Sequence, residues 1–182
     1  MKVLIVVDMQ KDFIDGSLGT PEAVSIVDNV VARIQSTQGA LVLFTQDTHQ
    51  EDYLSTMEGG KLPVVHCIEN TEGWHIREAV LDAWRNHPDT IMLPPPQSHI
   101  FTKPVFGSVD LVAFLQSKGA DISEIEILGL CTDICVISNA IMIKNTLPHI
   151  KIAVNAGCCA GVTPVSHQEA LNVMAMCQID VI

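Results

Sequence analysis

Two of the chain's six cysteines, Cys131 and Cys135, stand four residues apart in the stretch GLCTDICVISNA. Such a pair could hold a metal, close a disulfide or include a nucleophile. The spacing is looser than C-x-x-C, and no second pair of ligand spacing follows, since Cys158 and Cys159 are adjacent and cannot readily face one ion. A nucleophile needs company: a cation to stabilise the thiolate and a base to take its proton. Asp8, closing the apolar run KVLIVVD, and Lys103, between HIFT and PVFGS, are of the right types. Taken singly, each has a plainer role. Asp8 could be a cap or half of a structural ion pair, Lys103 a surface lysine and Cys135 a small core residue.

A second set of donors lies in TQDTHQEDYLSTMEGGKLPVVHC. Asp47 and His49 are two apart at a strand end, so extended backbone points them to one side. His66 returns after a glycine-containing loop. One carboxylate and two imidazoles suit Zn²⁺, Fe²⁺ or Mn²⁺, with positions left open for water or substrate. A polar surface loop is the ordinary alternative.

These residues need a frame. Apolar runs alternate with helical patterns, the mark of βαβ units, so the fold expected is a three-layer α/β/α domain, residues 1–182, around a mostly parallel sheet. The strands expected are KVLIVVD, ALVLFTQD, IFTK, EIEILGL, HIKIAVNA and IDVI. Helices are expected over Ala23–Gln38, over VDLVAFLQSKG with Gly119 as its stop, from about Ile134 to Asn145, and over PVSHQEALNVMAMC. In such sheets ligands gather at the carboxyl ends of strands. Asp8, Lys103 and Cys135 each fall at such an end. Cys135 also lies near a helix start, whose positive end lowers a thiol's pKa.

Composition narrows the partners. Ten basic residues against 21 acidic ones leave a formal charge of −11, which repels phosphate backbones and argues against nucleic acid. No apolar run is long enough to span a bilayer, and MKVLIVVDMQ reads as a buried strand rather than a signal peptide. Reduced cysteines and a cytoplasmic protein are the expectation. The apolar composition permits a homo-oligomer.

VVDMQKDF, TKPVFGS and GLCTDICV, in this order over essentially the whole chain, resemble the three signatures of the isochorismatase-like cysteine hydrolases. The resemblance implies Asp8 as general base, Lys103 as cation and Cys135 as nucleophile. It also implies a cis peptide between Leu130 and Cys131, with the N–H groups of Cys131 and Cys135 facing an oxyanion. The D-x-H pair followed by a later HC looks like the nicotinamidase branch. Carried over, Asp47, His49 and His66 would ligate one divalent ion, Zn²⁺ first and Fe²⁺ or Mn²⁺ next, and Glu58 is the fourth-ligand candidate ahead of Glu51, Asp52 and Ser55. Nicotinamidases often carry tryptophan three residues before the last histidine. Pro63 stands there, so Phe13, Phe106 and Trp74 become the candidates for the pocket wall. The activity implied is metal-dependent hydrolysis of nicotinamide to nicotinate and ammonia through a thioester, with a small amide as partner. Another small-amide or carbamoyl hydrolase of the superfamily is the alternative, and a non-catalytic metal-binding protein is the reading from a different class.

Overall fold

The computed structural model describes residues 1–182. Six strands, β1 (Lys2–Val7), β2 (Ala40–Asp47), β3 (Ile100–Lys103), β4 (Glu124–Leu130), β5 (Lys151–Ala160) and β6 (Asp180–Val181), form one sheet. Their order is β3-β2-β1-β4-β5-β6, and every pairing is parallel. Parallel strands covered on both faces must be apolar along their length. All of β2 and nearly all of β1 are accordingly buried. The fold is the α/β/α architecture expected from the alternating pattern.

The helices are α1 (Lys11–Ile14), α2 (Pro21–Ser25), α3 (Val27–Gln35), α4 (Met57–Lys61), α5 (Glu78–Arg85), α6 (Val109–Ser117), α7 (Ile137–Thr146) and α8 (Pro164–Met176). Right-handed crossovers put α2, α3 and α5 on one face of the sheet and α6, α7 and α8 on the other. Consistent with this, α3 packs on α5 and α7 packs on α6 and α8.

Several boundaries differ from the sequence pattern. The helix expected over 23–38 starts earlier, with Thr20 capping Ala23 N–H, breaks at Ile26 and ends at Gln35. Gly119 does not stop α6 in a left-handed turn; Lys118 is the cap, and Gly119 opens a short 3-10 turn. The fifth strand runs on to Ala160, past half-exposed positions that break its apolar pattern. Helix α5 falls where the sequence reading places no element, although Val80, Leu81 and Ala83 bury one face of it. At the sheet's centre, Gly129 has φ 118°, and a Cβ there would fall 2.1 Å from the Val7 carbonyl oxygen. Only glycine lets β4 end this close to β1.

Candidate active site and metal centre

The strand order reverses between β1 and β4, and crevices at such switch points bind ligands. Asp8 follows β1, Asp47 ends β2, Lys103 ends β3 and Cys135 follows β4. In the parallel register Asp47 and Lys103 are direct neighbours. Asp8 takes a left-handed backbone, φ 46°, which aspartate tolerates better than most residues. Thr45 Oγ1 donates to its Oδ1 at 2.6 Å.

Lys103 is the hub. Its Nζ lies 2.7 Å from Asp8 Oδ2, 3.2 Å from Asp47 Oδ1 and 3.6 Å from Cys135 Sγ. A lysine ammonium has three donors; Asp47 and Cys135 accept hydrogen bonds from it, and Asp8 stands in ion-pair contact. All four side chains are buried, so their charges interact through little water. Burial pulls Lys103 down, but Asp8, Cys135 and Asp47 outweigh it and hold the ammonium charged, well above its usual range. Burial pushes the Asp8 carboxyl up, against the Lys103 charge, and Asp47 adds to the rise. Asp47 goes the other way: burial raises it, but the adjacent His49 and His66 rings and the Lys103 charge bring it below the usual carboxylate range. Burial likewise drives the Cys135 thiol well above its usual value, with Asp8 helping and Lys103 opposing. The lowering expected from the helix end therefore does not prevail. This direction favours the protonated thiol beside the Asp8–Lys103 ion pair.

The thiol's loop is held from several sides. The Leu130–Cys131 peptide is cis. Residues Thr132–Val136 form a π-helical turn, closed by Val136 N–H donating to the Cys131 carbonyl at 3.0 Å. The Cys131 N–H has no acceptor within the chain. Thr132 Oγ1 shares a 2.7 Å hydrogen bond with His167 Nδ1 on α8. Asp133 accepts Val162 N–H on both oxygens. Asn139 Nδ2 donates to the Cys135 carbonyl at 2.8 Å.

Beside this group, donor atoms of Asp47, His49 and His66 lie within 4.8 Å of one another, all buried. A bridge between His49 and Ile68 docks the returning segment on the end of β2 and so brings His66 in. Asp47 Oδ2 is 3.0 Å from His49 Nε2 and 3.6 Å from His66 Nε2. His66 Nδ1 bonds the Val64 carbonyl at 2.8 Å, which places its proton there and leaves Nε2 as a lone-pair donor. His49 Nε2 is buried with no aligned hydrogen-bond partner despite the nearby carboxylate. Donors crowded together yet not aimed at one another converge on a third point between them. The set fits a divalent cation. Glu58, raised on α4 by the Thr56 cap, comes within 3.8 Å of His49 Nε2, outside the tight cluster.

Both groups open on one cavity of about 170 Å³, which Asp47, Glu58, His66, Cys131 and Cys135 help to line. Phe13 and Phe106 are in its wall, and the Phe13 ring stands 5.5 Å from the His66 ring. Trp74 is not in the lining: its indole N–H donates to Thr48 Oγ1 and its carbonyl accepts from Gln10 and Gln46. Leu18, Leu62, Ile134 and Val162 complete the apolar wall. They sit in loops or at helix margins, where no sequence period marks them.

The isochorismatase domain family matches residues 2–182. An uncharacterised isochorismatase family protein of Bacillus subtilis, PncA, is 27% identical over 179 residues, covering 94% of this chain and 92% of its own. Among solved structures, a nicotinamidase/pyrazinamidase of Bacillus subtilis superposes with a TM-score of 0.82 at 26% identity, covering 99% of this chain and 98% of its own. The pyrazinamidase/nicotinamidase of Streptococcus mutans gives 0.81 at 26% identity, with full coverage of both chains. The pyrazinamidase of Pyrococcus horikoshii, solved in complex with zinc, gives 0.77 at 26%, covering 100% of this chain and 98% of its own. With the match running from the second residue to the last, this chain belongs to the isochorismatase domain family.

Proposed function

We propose that this protein is an amide hydrolase that cleaves nicotinamide to nicotinate and ammonia, with Cys135 as nucleophile, Asp8 as general base and acid and Lys103 as the cation between them. The observation that carries the reading is the shared cavity, on which a buried thiol and a carboxylate–imidazole cluster both open. At about 170 Å³ it is smaller than the roughly 300–1,000 Å³ of drug-sized sites and suits a single-ring amide. Three of the similar solved structures are described as nicotinamidases or pyrazinamidases.

Asp47, His49 and His66 would hold the divalent ion, with Glu58 beside them, and Zn²⁺ matches both the donor set and the Pyrococcus structure. When bound, the ion would supply Lewis acidity with which to hold a ring nitrogen of the substrate. The phenyl rings of Phe13 and Phe106 flank the substrate ring and exclude water.

The thiol is neutral at rest, so its proton leaves as the Sγ–C bond forms. Asp8 takes that proton, and Lys103 holds carboxylate and sulfur in one geometry. The negative charge that develops on the carbonyl oxygen meets the backbone N–H groups of Cys131, free of any acceptor in the chain, and Cys135. As the C–N bond breaks, Asp8 returns the proton to the leaving nitrogen, and ammonia departs. Water then hydrolyses the thioester with Asp8 again as base, releasing the acid and restoring the thiol.

The test is ammonia release from nicotinamide by the purified chain, before and after chelation, and again after Zn²⁺ is restored. Turnover that falls on chelation and returns with the ion supports the reading. No turnover by the restored protein, or turnover indifferent to chelator, overturns it. In the second case a panel of other small amides and carbamoyl compounds identifies the metal-independent alternative.

A further inference from the structure

Gln10 and Asp12 lie on the turn between Asp8 and Phe13, and the chemistry above uses neither. Gln10 is fully buried, and its amide is committed to backbone. Its Nε2 donates to the Asp47 carbonyl at 2.8 Å and to the Trp74 carbonyl at 2.9 Å, and its Oε1 accepts the Asp47 N–H at 2.6 Å. The N–H and carbonyl of residue 47 belong to the two peptide planes that flank its Cα, so this one side chain sets the direction in which the Asp47 carboxylate leaves the strand.

Asp12 acts on the other arm of the cluster. Its Oδ2 accepts the Cys67 N–H at 2.7 Å, which belongs to the peptide joining His66 to Cys67. Its own N–H donates to the Gly73 carbonyl, and a Cβ on Gly73 would fall 2.2 Å from the Asp12 carboxylate. The Cys67 carbonyl in turn accepts the His49 N–H at 2.9 Å. The backbones of Asp47, His49 and His66 thus hang, directly or through Cys67, on two side chains of one short turn.

We infer that Gln10 and Asp12 are positioning residues of the candidate metal centre, Gln10 aiming Asp47 and Asp12 holding the His66–Cys67 peptide so that the three donors converge. This rests on the metal-centre reading above. Groups that orient metal ligands typically contribute 10–100-fold in metal affinity.

The experiment measures Zn²⁺ dissociation constants on the metal-stripped full chain by competition with a chromogenic chelator, alongside melting of the metal-free protein. Gln10→Met removes the hydrogen bonds at similar volume and should weaken Zn²⁺ binding by roughly 10-fold or more. Gln46→Met is the matched control, because Gln46 is buried nearby and donates to the same Trp74 carbonyl but holds no donor residue of the cluster. It should lower the melting temperature comparably while leaving Zn²⁺ affinity within about threefold. Asp12→Ala should weaken binding as Gln10→Met does, and Asp12→Asn, which keeps an acceptor for Cys67 N–H, should recover most of the loss. Unchanged affinity in Gln10→Met, an equal loss in Gln46→Met, or Asp12→Asn as weak as Asp12→Ala overturns the inference. Should Gln10→Met fail to fold, the two variants of half-exposed Asp12 decide alone. A wild-type chain that binds no Zn²⁺ overturns the metal-centre reading itself and this inference with it, an outcome distinct from variants that match a binding wild type.

Discussion

Lys103 carries the only positive charge among two carboxylates and a thiol, so single substitutions here act on groups they do not replace. Lys103→Met should cost about 3–5 kcal/mol in urea unfolding, because it strands the Asp8 and Asp47 charges in the interior. Cys135→Ala makes the opposite prediction: turnover vanishes while the melt stays close to wild type, since a small neutral group replaces a small neutral group. Retained activity in that variant would refute the nucleophile assignment. Asp8, the proposed base, can act only when ionised, and burial raises its pKa. Protonation therefore begins at higher pH than for a free carboxylate, and the acid limb of kcat/KM should be displaced upward accordingly. Their places at strand ends made Asp8, Lys103 and Cys135 candidates, and the family resemblance made them legible as a set, as it did Asp47, His49 and His66. Gln10 and Asp12 were not legible, because they act on backbone and backbone partners leave no trace in residue types. Trp74 became a candidate for the pocket wall because Pro63 stands where nicotinamidases often carry tryptophan. Its indole N–H needs a buried acceptor, and Thr48 supplies one away from the cavity.

The elements place these residues through two features of β4. At its end, Gly129 admits no side chain. Gly129→Ala should cost about 3 kcal/mol or more, from both the clash with Val7 and the positive φ, and a urea melt would register it. Near its start, Glu126 takes a forked ion pair from Arg33 of α3, at 2.8 and 2.6 Å, and a hydrogen bond from Asn155 of β5. Burial raises the Glu126 carboxyl, but these partners outweigh it and leave it below its usual value. A carboxyl lowered by folding stabilises above its unfolded pKa and loses that contribution as pH falls through the folded one. Glu126→Gln should cost about 1 kcal/mol at neutral pH, the partial exposure of the pair holding the figure down, and the cost should fade in acid melts. Apolar periodicity located most strands and long helices. It could not foresee the break at Ile26 or the π turn at Thr132–Val136, where tertiary contacts choose among backbone forms of similar energy. Helix α5 is short and strongly charged, and its apolar face packs against α3.

For the whole molecule, an ion in the candidate metal centre would tie the end of β2 to the segment around His66, reinforcing the backbone bridge between His49 and Ile68 that already joins them. An ion bound to the native state alone adds RT ln(1 + [L]/Kd), about 2.7 kcal/mol at a hundredfold excess over Kd. For a chain of this size that is a rise of roughly 5–11 °C in Tm. Scanning calorimetry with Zn²⁺ and with chelator should show the difference, and coincident melts would count against a structural ion. No helix is long and apolar enough to cross a membrane, in keeping with the absence of such a run in the sequence. The distribution of the thiols has a practical outcome for covalent probes. Cys177 is exposed, whereas Cys135 is buried and neutral at the floor of a narrow cavity. Generic alkylating reagents should mark Cys177 first and leave Cys135, the proposed nucleophile, untouched, so protein carrying one label per chain should keep its activity. An electrophile mounted on a small flat ring would invert that order, and peptide mapping of the two adducts would separate a useful inhibitor from a bystander label.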